Sequence, residues 1–246
     1  MNKSDSEGRA CGSARWGVYA FYDFEGEPIY VGQTRERLSG RISRHLTGQR
    51  SDAVAKRILD PLEVAEIEVW PLWHLQGVAA DDRTSAGDAA RAEVDALEYS
   101  VWHAAILGSR FGAILNEKRP PTSPLVHPLP ASFGGQLYTA AERQERSNPD
   151  VRLARRAETV SRLADVVRER SRPSRGLRRV LAVQALRLAY LAATRSAMAD
   201  GRDLPTTDAF DYVALVGEPE AVAATDQEPD DVDDADEDGS EDTDEN

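Results

Sequence analysis

The strongest constraint on the fold is a pair of short alternating segments separated by a turn. The segment WGVYAFYD alternates between two sets of side chains, and the segment PIYVG follows after Glu25 and Gly26. A period of two residues on both sides of a glycine turn predicts an antiparallel β-hairpin. With these two residues in the turn, Tyr19 faces Gly32, and Tyr19 and Tyr30 are diagonal neighbours on one face. Core packing is the ordinary explanation for two such tyrosines.

The residues after the hairpin predict a helix over 34–48. Leucine and isoleucine recur there every four residues and form the stripe that we expect to be buried. At 100° per residue, Arg41 and His45 fall one turn apart at the margin of this stripe. A solvated basic face explains Arg37 and Arg44 well, but it explains His45 less well.

Further along, residues 66–70 alternate as a third strand that ends at Pro71, and a second helix runs from a cap at Asp88 to about residue 107. Glu98 falls inside the apolar face of this helix, whereas Asp95 falls to one side, where a solvated acid is expected. A carboxylate on an apolar face is costly unless it is paired, protonated or bound to a cation. A salt bridge to a buried arginine and a metal ion are both open alternatives for Glu98.

These residues together resemble a known family. The strings GVY at 17–19 and YVG at 30–32 resemble the signature of the GIY-YIG nuclease superfamily. Arg41 with His45 four residues later looks like the helix motif of that family, and Glu98 stands at the place of its metal-binding glutamate. Asn116 is similar to the asparagine that ends the module. The resemblance spans about residues 14–120, and a histidine at the second helix position is similar to the type II restriction branch.

The resemblance implies an α/β (α+β) fold with a small three-stranded antiparallel sheet flanked by helices, and a metal-dependent DNA endonuclease. It also implies roles for six residues. Tyr19 is the general base, Tyr30 orients the water or Tyr19, and Arg41 binds the scissile phosphate. His45 supports the contact of Arg41 with the phosphate. Glu98 holds one Mg²⁺ per active site, with Mn²⁺ as a substitute, and Asn116 holds the local geometry or a phosphate oxygen. We expect additional nucleic-acid contacts from Gln33, Arg37 and Arg44.

Changes in composition divide the chain into segments. We expect a disordered leader over 1–13, a nuclease domain over 14–120, a proline-rich linker or ordered strap over 121–135, and an Arg-rich helical region over 136–215. That region predicts an antiparallel helical hairpin. Its first helix starts at Asn148-Pro149 and carries the apolar stripe Leu153, Ala157, Val160, Ala164 and Val167. Residues 216–246 predict a disordered acidic tail.

The net charge of −13 hides two opposite regions. Residues 217–246 carry 15 acidic side chains and no basic ones, whereas residues 136–202 carry 15 Arg and no Lys against 7 acids. Arginine binds phosphate through two oxygens at once, so the helical region predicts duplex contact. A solvated basic face or a dimer interface is an equally open interpretation. The tail either competes with DNA for the basic surface or only solubilises the chain.

The sequence therefore predicts a restriction or defence endonuclease acting on double-stranded DNA. Two alternatives stay open: a non-cleaving DNA-binding or scaffold protein on a nuclease fold, and a nuclease subunit in repair or mobile elements that needs a protein partner bound through 136–215. Cutting both strands would need a homodimer or two binding events. Cys11 is the only cysteine, no leader marks secretion and no run of residues is long and apolar enough for a membrane span. We therefore expect a bacterial, cytoplasmic protein.

Overall fold

The computed structural model describes residues 4–47 and 58–216. Its α+β class is the predicted one: an antiparallel sheet in the order β2–β1–β3–β4 with helices on both faces. The strands are β1 (Gly17–Tyr22), β2 (Pro28–Thr34), β3 (Glu66–Pro71) and β4 (Phe133–Gln136). The helices are α1 (Leu38–Leu46), α2 (Ser85–Gly108), α3 (Ala140–Arg146), α4 (Pro149–Glu169), α5 (Arg175–Ala199) and α6 (Tyr212–Val216).

The β1–β2 hairpin has the predicted register, with Tyr19 opposite Gly32. Its turn closes through a hydrogen bond of 3.1 Å from the backbone N–H of Gly26 to the carbonyl of Asp23. Gly26 has a φ of +72°, which is the left-handed conformation that favours glycine. The predicted strand over 66–70 is β3, and it pairs with the other side of β1. β1 is therefore an internal strand of the sheet, and it carries Tyr19 into the core.

The two faces of β1 belong to two hydrophobic cores. Val18 and Ala20 pack with α2 on one face, while Tyr19 and Phe21 pack with α1, α4 and α5 on the other. This division follows from the strand period, because neighbouring side chains point to opposite faces of a sheet. The helical hairpin therefore covers the same face of the sheet as Tyr19.

The predicted sheet of three strands is wrong by one strand. β4 pairs with β3, and it comes from the end of the segment over 121–135 that was predicted as a linker or strap. The backbone N–H of Val126 donates to the hydroxyl of Ser100 at 2.8 Å, so the segment is an ordered strap. Gly134 and Gly135 concealed the strand because glycine has no side chain to pack in a sheet.

The predicted disordered leader over 1–13 is also wrong for its described part, which begins at residue 4. Ser4 and Ala10 form an isolated bridge, Cys11 is buried in the core, and the guanidinium of Arg9 lies 4.6 Å from the ring centre of Trp73. Local polarity does not reveal these contacts, since the partners lie far along the chain. The predicted acidic tail lies outside the described residues from 217 onward.

The helical hairpin forms as predicted, but it buries a different stripe. Asn148 caps α4 by accepting the backbone N–H of Asp150 at 2.9 Å. The predicted stripe that starts at Leu153 is wrong by one residue. The buried side chains of α4 are Arg152, Arg156, Thr159, Leu163 and Val166. Two arginines can occupy this stripe because carboxylates of the sheet and its loops pair with them.

An ion-pair cluster at the turn of the β1–β2 hairpin holds these arginines. The carboxylate of Asp23 lies 2.8 Å from the guanidinium of Arg187 and 3.1 Å from that of Arg156. Glu63 pairs with Arg156 at 2.9 Å and with Arg152 at 3.2 Å. Burial opposes ionisation of Asp23, but the three guanidinium groups outweigh it, and the pKa of Asp23 is lowered. The predicted duplex contact is therefore wrong for these three arginines, which are buried.

Helix α2 begins at Ser85, one turn before the predicted cap at Asp88. Asp88 pairs instead with Arg91 at 2.6 Å. None of the helices formed by the described residues combines the length and the apolarity that a membrane span requires.

Candidate active site

Tyr19 and His45 form the centre of the site. The hydroxyl of Tyr19 lies 2.8 Å from Nε2 of His45 within a buried hydrogen bond. Tyr30 lies beside both rings, with its ring centre 6.3 Å from that of Tyr19 and 5.1 Å from that of His45. An added Cβ at Gly32 would lie 2.6 Å from the hydroxyl oxygen of Tyr19. Glycine at position 32 therefore leaves the room that the Tyr19 hydroxyl occupies, as the sequence predicts.

Arg41 lies one helical turn before His45 and contacts the same phenol. Its guanidinium is near enough to the phenol of Tyr19 to interact with it electrostatically. Partial burial would lower the pKa of Arg41, but the nearby phenol groups of Tyr19 and Tyr30 raise it. Its Nε is buried and has no hydrogen-bond partner among the described residues. Tyr19 thus lies between a guanidinium and an imidazole, and the guanidinium keeps one donor for a further acceptor.

Glu98 is held by an amide rather than by an arginine. Nε2 of Gln33 donates to a carboxylate oxygen of Glu98 at 3.0 Å and to one of Asp95 at 2.6 Å. Arg35 approaches the same oxygen of Asp95 at 3.4 Å. Among the described residues no arginine pairs with Glu98 directly, so the predicted alternative of a salt bridge to a buried arginine is wrong.

The environment of Glu98 favours a cation. Burial raises the pKa of Glu98 to about 7, the amide of Gln33 lowers it, and the negative charge of Asp95 raises it further. Within 4–47 and 58–216, no three His, Cys, Asp or Glu side chains form a group that could hold a metal ion. Mg²⁺, however, is commonly held by one or two carboxylates and several waters. The carbonyl oxygen of Gln33 is buried without a partner in the described structure, so the two carboxylates and this oxygen are the side-chain atoms that could bind such an ion once the amide turns.

Strand β2 separates these two groups of residues. Tyr30 and Gly32 lie on the α1 face, and Gln33 lies on the α2 face, because the strand alternates. An open cleft of about 400 Å³ borders one residue of each group, Arg41 and Gln33. It is lined by Gln33, Thr34, Arg35, Glu36, Arg41 and Ala80. The side chains of Arg41 and Gln33 therefore line the same opening.

Asn116 acts on the backbone of β2. Its side-chain carbonyl accepts the N–H of Val31 at 3.0 Å, and its amide donates to the carbonyl of Val31 at 2.7 Å. Both polar groups of this buried side chain are therefore occupied by the residue that follows Tyr30. These contacts fit the predicted role in local geometry. The alternative role of binding a phosphate oxygen would use the second N–H of the amide.

Residues 15–81 match the family model of the GIY-YIG catalytic domain. This part of the chain is similar to the catalytic domain of GIY-YIG nucleases. Comparisons with curated proteins and with solved structures give no significant match.

The GIY-YIG match includes Tyr19, Tyr30, Arg41 and His45, while Glu98 and Asn116 lie beyond it. The fold carries both of them back to β2, Glu98 through the side chain of Gln33 and Asn116 through the backbone of Val31. The assigned roles of these six residues remain predictions.

Asp95 is the residue of this GIY-YIG site that the sequence analysis missed. It was expected to be a solvated acid, yet it shares the amide of Gln33 with Glu98. The spacing of Asp95 and Glu98 was a signal in the sequence, because side chains three residues apart on a helix are neighbours.

The predicted nucleic-acid contacts differ in their surroundings. Arg37 is exposed at the start of α1, and Arg44 pairs with Glu36.

Proposed function

We propose that the chain is a metal-dependent DNA endonuclease of restriction or defence type. The observation that carries this proposal is the hydrogen bond between the Tyr19 hydroxyl and His45, with Arg41 beside the same phenol. Phosphodiester hydrolysis needs a base for the attacking water and positive charge around the phosphate. The match of residues 15–81 to the GIY-YIG catalytic domain supports a nuclease, and His45 at the second helix position supports the restriction branch.

In the proposed mechanism, Tyr19 takes a proton from the attacking water while His45 Nε2 accepts the proton of the phenol. The water oxygen forms one bond to phosphorus, and the bond from phosphorus to the leaving sugar oxygen breaks. The guanidinium of Arg41 donates to the scissile phosphate. Tyr30 lies against both rings and orients the water.

Glu98 and Asp95, with the carbonyl oxygen of Gln33, would hold one Mg²⁺ or Mn²⁺. When bound, the ion compensates the charge of the phosphate and of the leaving oxygen. Gln33 would have to turn its amide, because its NH₂ group lies against both carboxylates in this structure. Burial of Glu98 makes an unpaired charge there costly, and a cation removes that cost.

Plasmid cleavage with Mg²⁺ or Mn²⁺ tests the proposal. We expect the wild type to cut and the Tyr19→Phe and Glu98→Gln variants to lose cleavage. Matched controls are Tyr22→Phe, whose hydroxyl donates to Glu68 on the same sheet, and Glu93→Gln, whose exposed carboxylate pairs with His74 on the surface. Both controls should cut like the wild type.

Two results would contradict the proposal. DNA binding by the folded wild type with no metal-dependent cleavage would favour the non-cleaving DNA-binding protein. Cleavage that appears only with a co-purifying protein would favour a nuclease subunit of a larger system.

A further inference from the structure

The arginines of the α4–α5 hairpin have different partners at its two ends. Where α4 begins and α5 finishes, carboxylates neutralise them: Arg195 pairs with Asp150 at 2.8 Å, and the cluster around Asp23 holds three more. The opposite end is the connection between the helices. Residues 170–179 carry five Arg and no Asp or Glu, so the positive charge of the region is concentrated there.

A second basic segment meets this connection. The hydroxyl of Ser174 donates to Glu117 at 3.0 Å, and the guanidinium of Arg179 donates to the carbonyl of Asn116 at 2.6 Å. An added Cβ at Gly176 would lie 2.0 Å from the carbonyl oxygen of Glu117, so the two backbones are in direct contact. The residues that follow Glu117 therefore lie beside the connection. The six exposed basic side chains here form the basic surface: Lys118, Arg119, Arg170, Arg172, Arg175 and Arg178.

Five of the six cations of this surface have no ion pair within the described residues. Lys118, Arg119 and Arg170 form no ion pair with a carboxylate of the described residues, and neither do Arg172 and Arg178. Burial lowers the pKa of the neighbouring Arg179, and the positive charge of Arg119 lowers it further. Exposed arginines elsewhere on the hairpin differ, since Arg162, Arg195 and Arg202 each pair with an acid.

The basic surface borders the candidate active site. Arg179 contacts the backbone of Asn116, and Asn116 clamps Val31, the residue after Tyr30. The hairpin also packs on the sheet face that carries Tyr19. The connection between α4 and α5 therefore lies beside β2, the edge strand that carries Tyr30.

We propose that the basic surface binds the phosphate backbone of the DNA duplex beside the scissile phosphate. The inference rests on the proposed function, which supplies the duplex. The surface lies outside the matched GIY-YIG residues, so it would add affinity that the catalytic domain lacks. Each phosphate contact by Lys or Arg lowers the slope of log affinity against log salt by about 0.9.

The test is the affinity of the full chain for a short labelled DNA duplex, measured by fluorescence anisotropy without divalent metal over about 50–200 mM salt. One triple variant carries Arg170→Gln, Arg172→Gln and Arg178→Gln. The matched control carries Arg162→Gln, Arg195→Gln and Arg202→Gln and has the same net charge. We expect the first variant to lose about tenfold or more in affinity. Its slope of log affinity against log salt should become less negative by the equivalent of up to three phosphate contacts, at about 0.9 for each. The control should bind like the wild type.

Equal affinities and slopes for the two triple variants would overturn the inference. Because binding is measured without metal and without cleavage, the result is separate from the nuclease test. A chain that binds through the basic surface but never cuts DNA would contradict the proposed function alone. A chain that cuts DNA while both triple variants bind equally would contradict the inference alone. Circular dichroism verifies that both variants are folded.

Discussion

The hydroxyl of Tyr19 lies 2.8 Å from Nε2 of His45, and this contact joins the central strand to the helix that follows the hairpin. The imidazole can accept the phenol proton only in the tautomer that leaves Nε2 unprotonated. General-base help of this kind contributes about 10²–10⁴ in rate. His45→Gln should therefore lower the single-turnover cleavage rate by about that factor, with DNA affinity nearly unchanged.

The matched control for His45→Gln is His74→Gln, which changes an exposed histidine paired with Glu93. It should cut at the wild-type rate. If His45→Gln cuts as fast as His74→Gln, the imidazole has no part in the proton transfer.

Gly32 tests whether the position of Tyr19 matters independently of its chemistry. An added Cβ would lie 2.6 Å from the Tyr19 hydroxyl oxygen and 3.0 Å from a ring carbon of Tyr30. Gly32→Ala should therefore displace the phenol and lower cleavage by about 10²-fold or more, since small misplacements cost that much. Gly135→Ala in β4, where nothing lies within 4 Å, should have no such effect. Wild-type cleavage by Gly32→Ala would contradict the assigned site.

Asp95 and Glu98 share the amide of Gln33, so the two carboxylates should contribute to one metal site. Titration of the DNA-free protein with Mn²⁺, followed by calorimetry, measures this directly. Asp95→Asn should weaken Mn²⁺ binding by about tenfold, and Glu98→Gln should weaken it more, because a carboxylate is the preferred ligand of such ions. Glu93→Gln on the same helix serves as the control. Unchanged affinity in Asp95→Asn would exclude Asp95 as a ligand.

The sequence predicted which side chains lie together in the candidate site because its signals are local. The turn at Gly26 determines which residues of β1 and β2 are opposite each other, and the helical period brings Arg41 and His45 to one side of α1. Glu98 was conspicuous because a single carboxylate interrupts an apolar stripe. Each of these signals lies within a few residues of the side chain that it places.

The features that could not be predicted depend on partners far apart in the chain. Arg152 and Arg156 appear solvated in the sequence, since their partners Asp23 and Glu63 lie about ninety or more residues earlier. The same distance explains why the stripe of α4 was predicted one residue away from its true position. β4 was missed for a different reason, because two adjacent glycines carry no strand signal.

The ion-pair cluster around Asp23 should govern the stability of the helical hairpin. Removing one partner of a buried ion pair typically costs about 3–5 kcal/mol, so Asp23→Asn should lower the free energy of unfolding by about that amount at neutral pH. Urea unfolding measures it. Asp165→Asn, which breaks only an exposed pair with Arg168, should change stability little. Equal stability of the two variants would show that the cluster contributes nothing.

The same carboxylate gives the cluster a defined pH dependence. The pKa of Asp23 is lower in the folded chain than its ordinary value of about 3.9. Its ionised form therefore stabilises the fold above about pH 4, and this contribution is lost as the pH falls through the folded pKa. Urea unfolding of the wild type should show a steeper loss of stability below pH 4 than that of Asp23→Asn. Parallel curves would contradict the assignment.

The acidic residues 217–246 provide the last test, which depends only on charge. They carry 15 carboxylates, and the basic surface carries six cations that a duplex would need. If the acidic segment competes for that surface, its deletion should raise duplex affinity at low salt, and the difference should fade at high salt because screening weakens both interactions. Anisotropy with the full chain and with a chain ending at residue 216 measures this. Equal affinities at low salt would mean that the acidic segment does not compete with DNA.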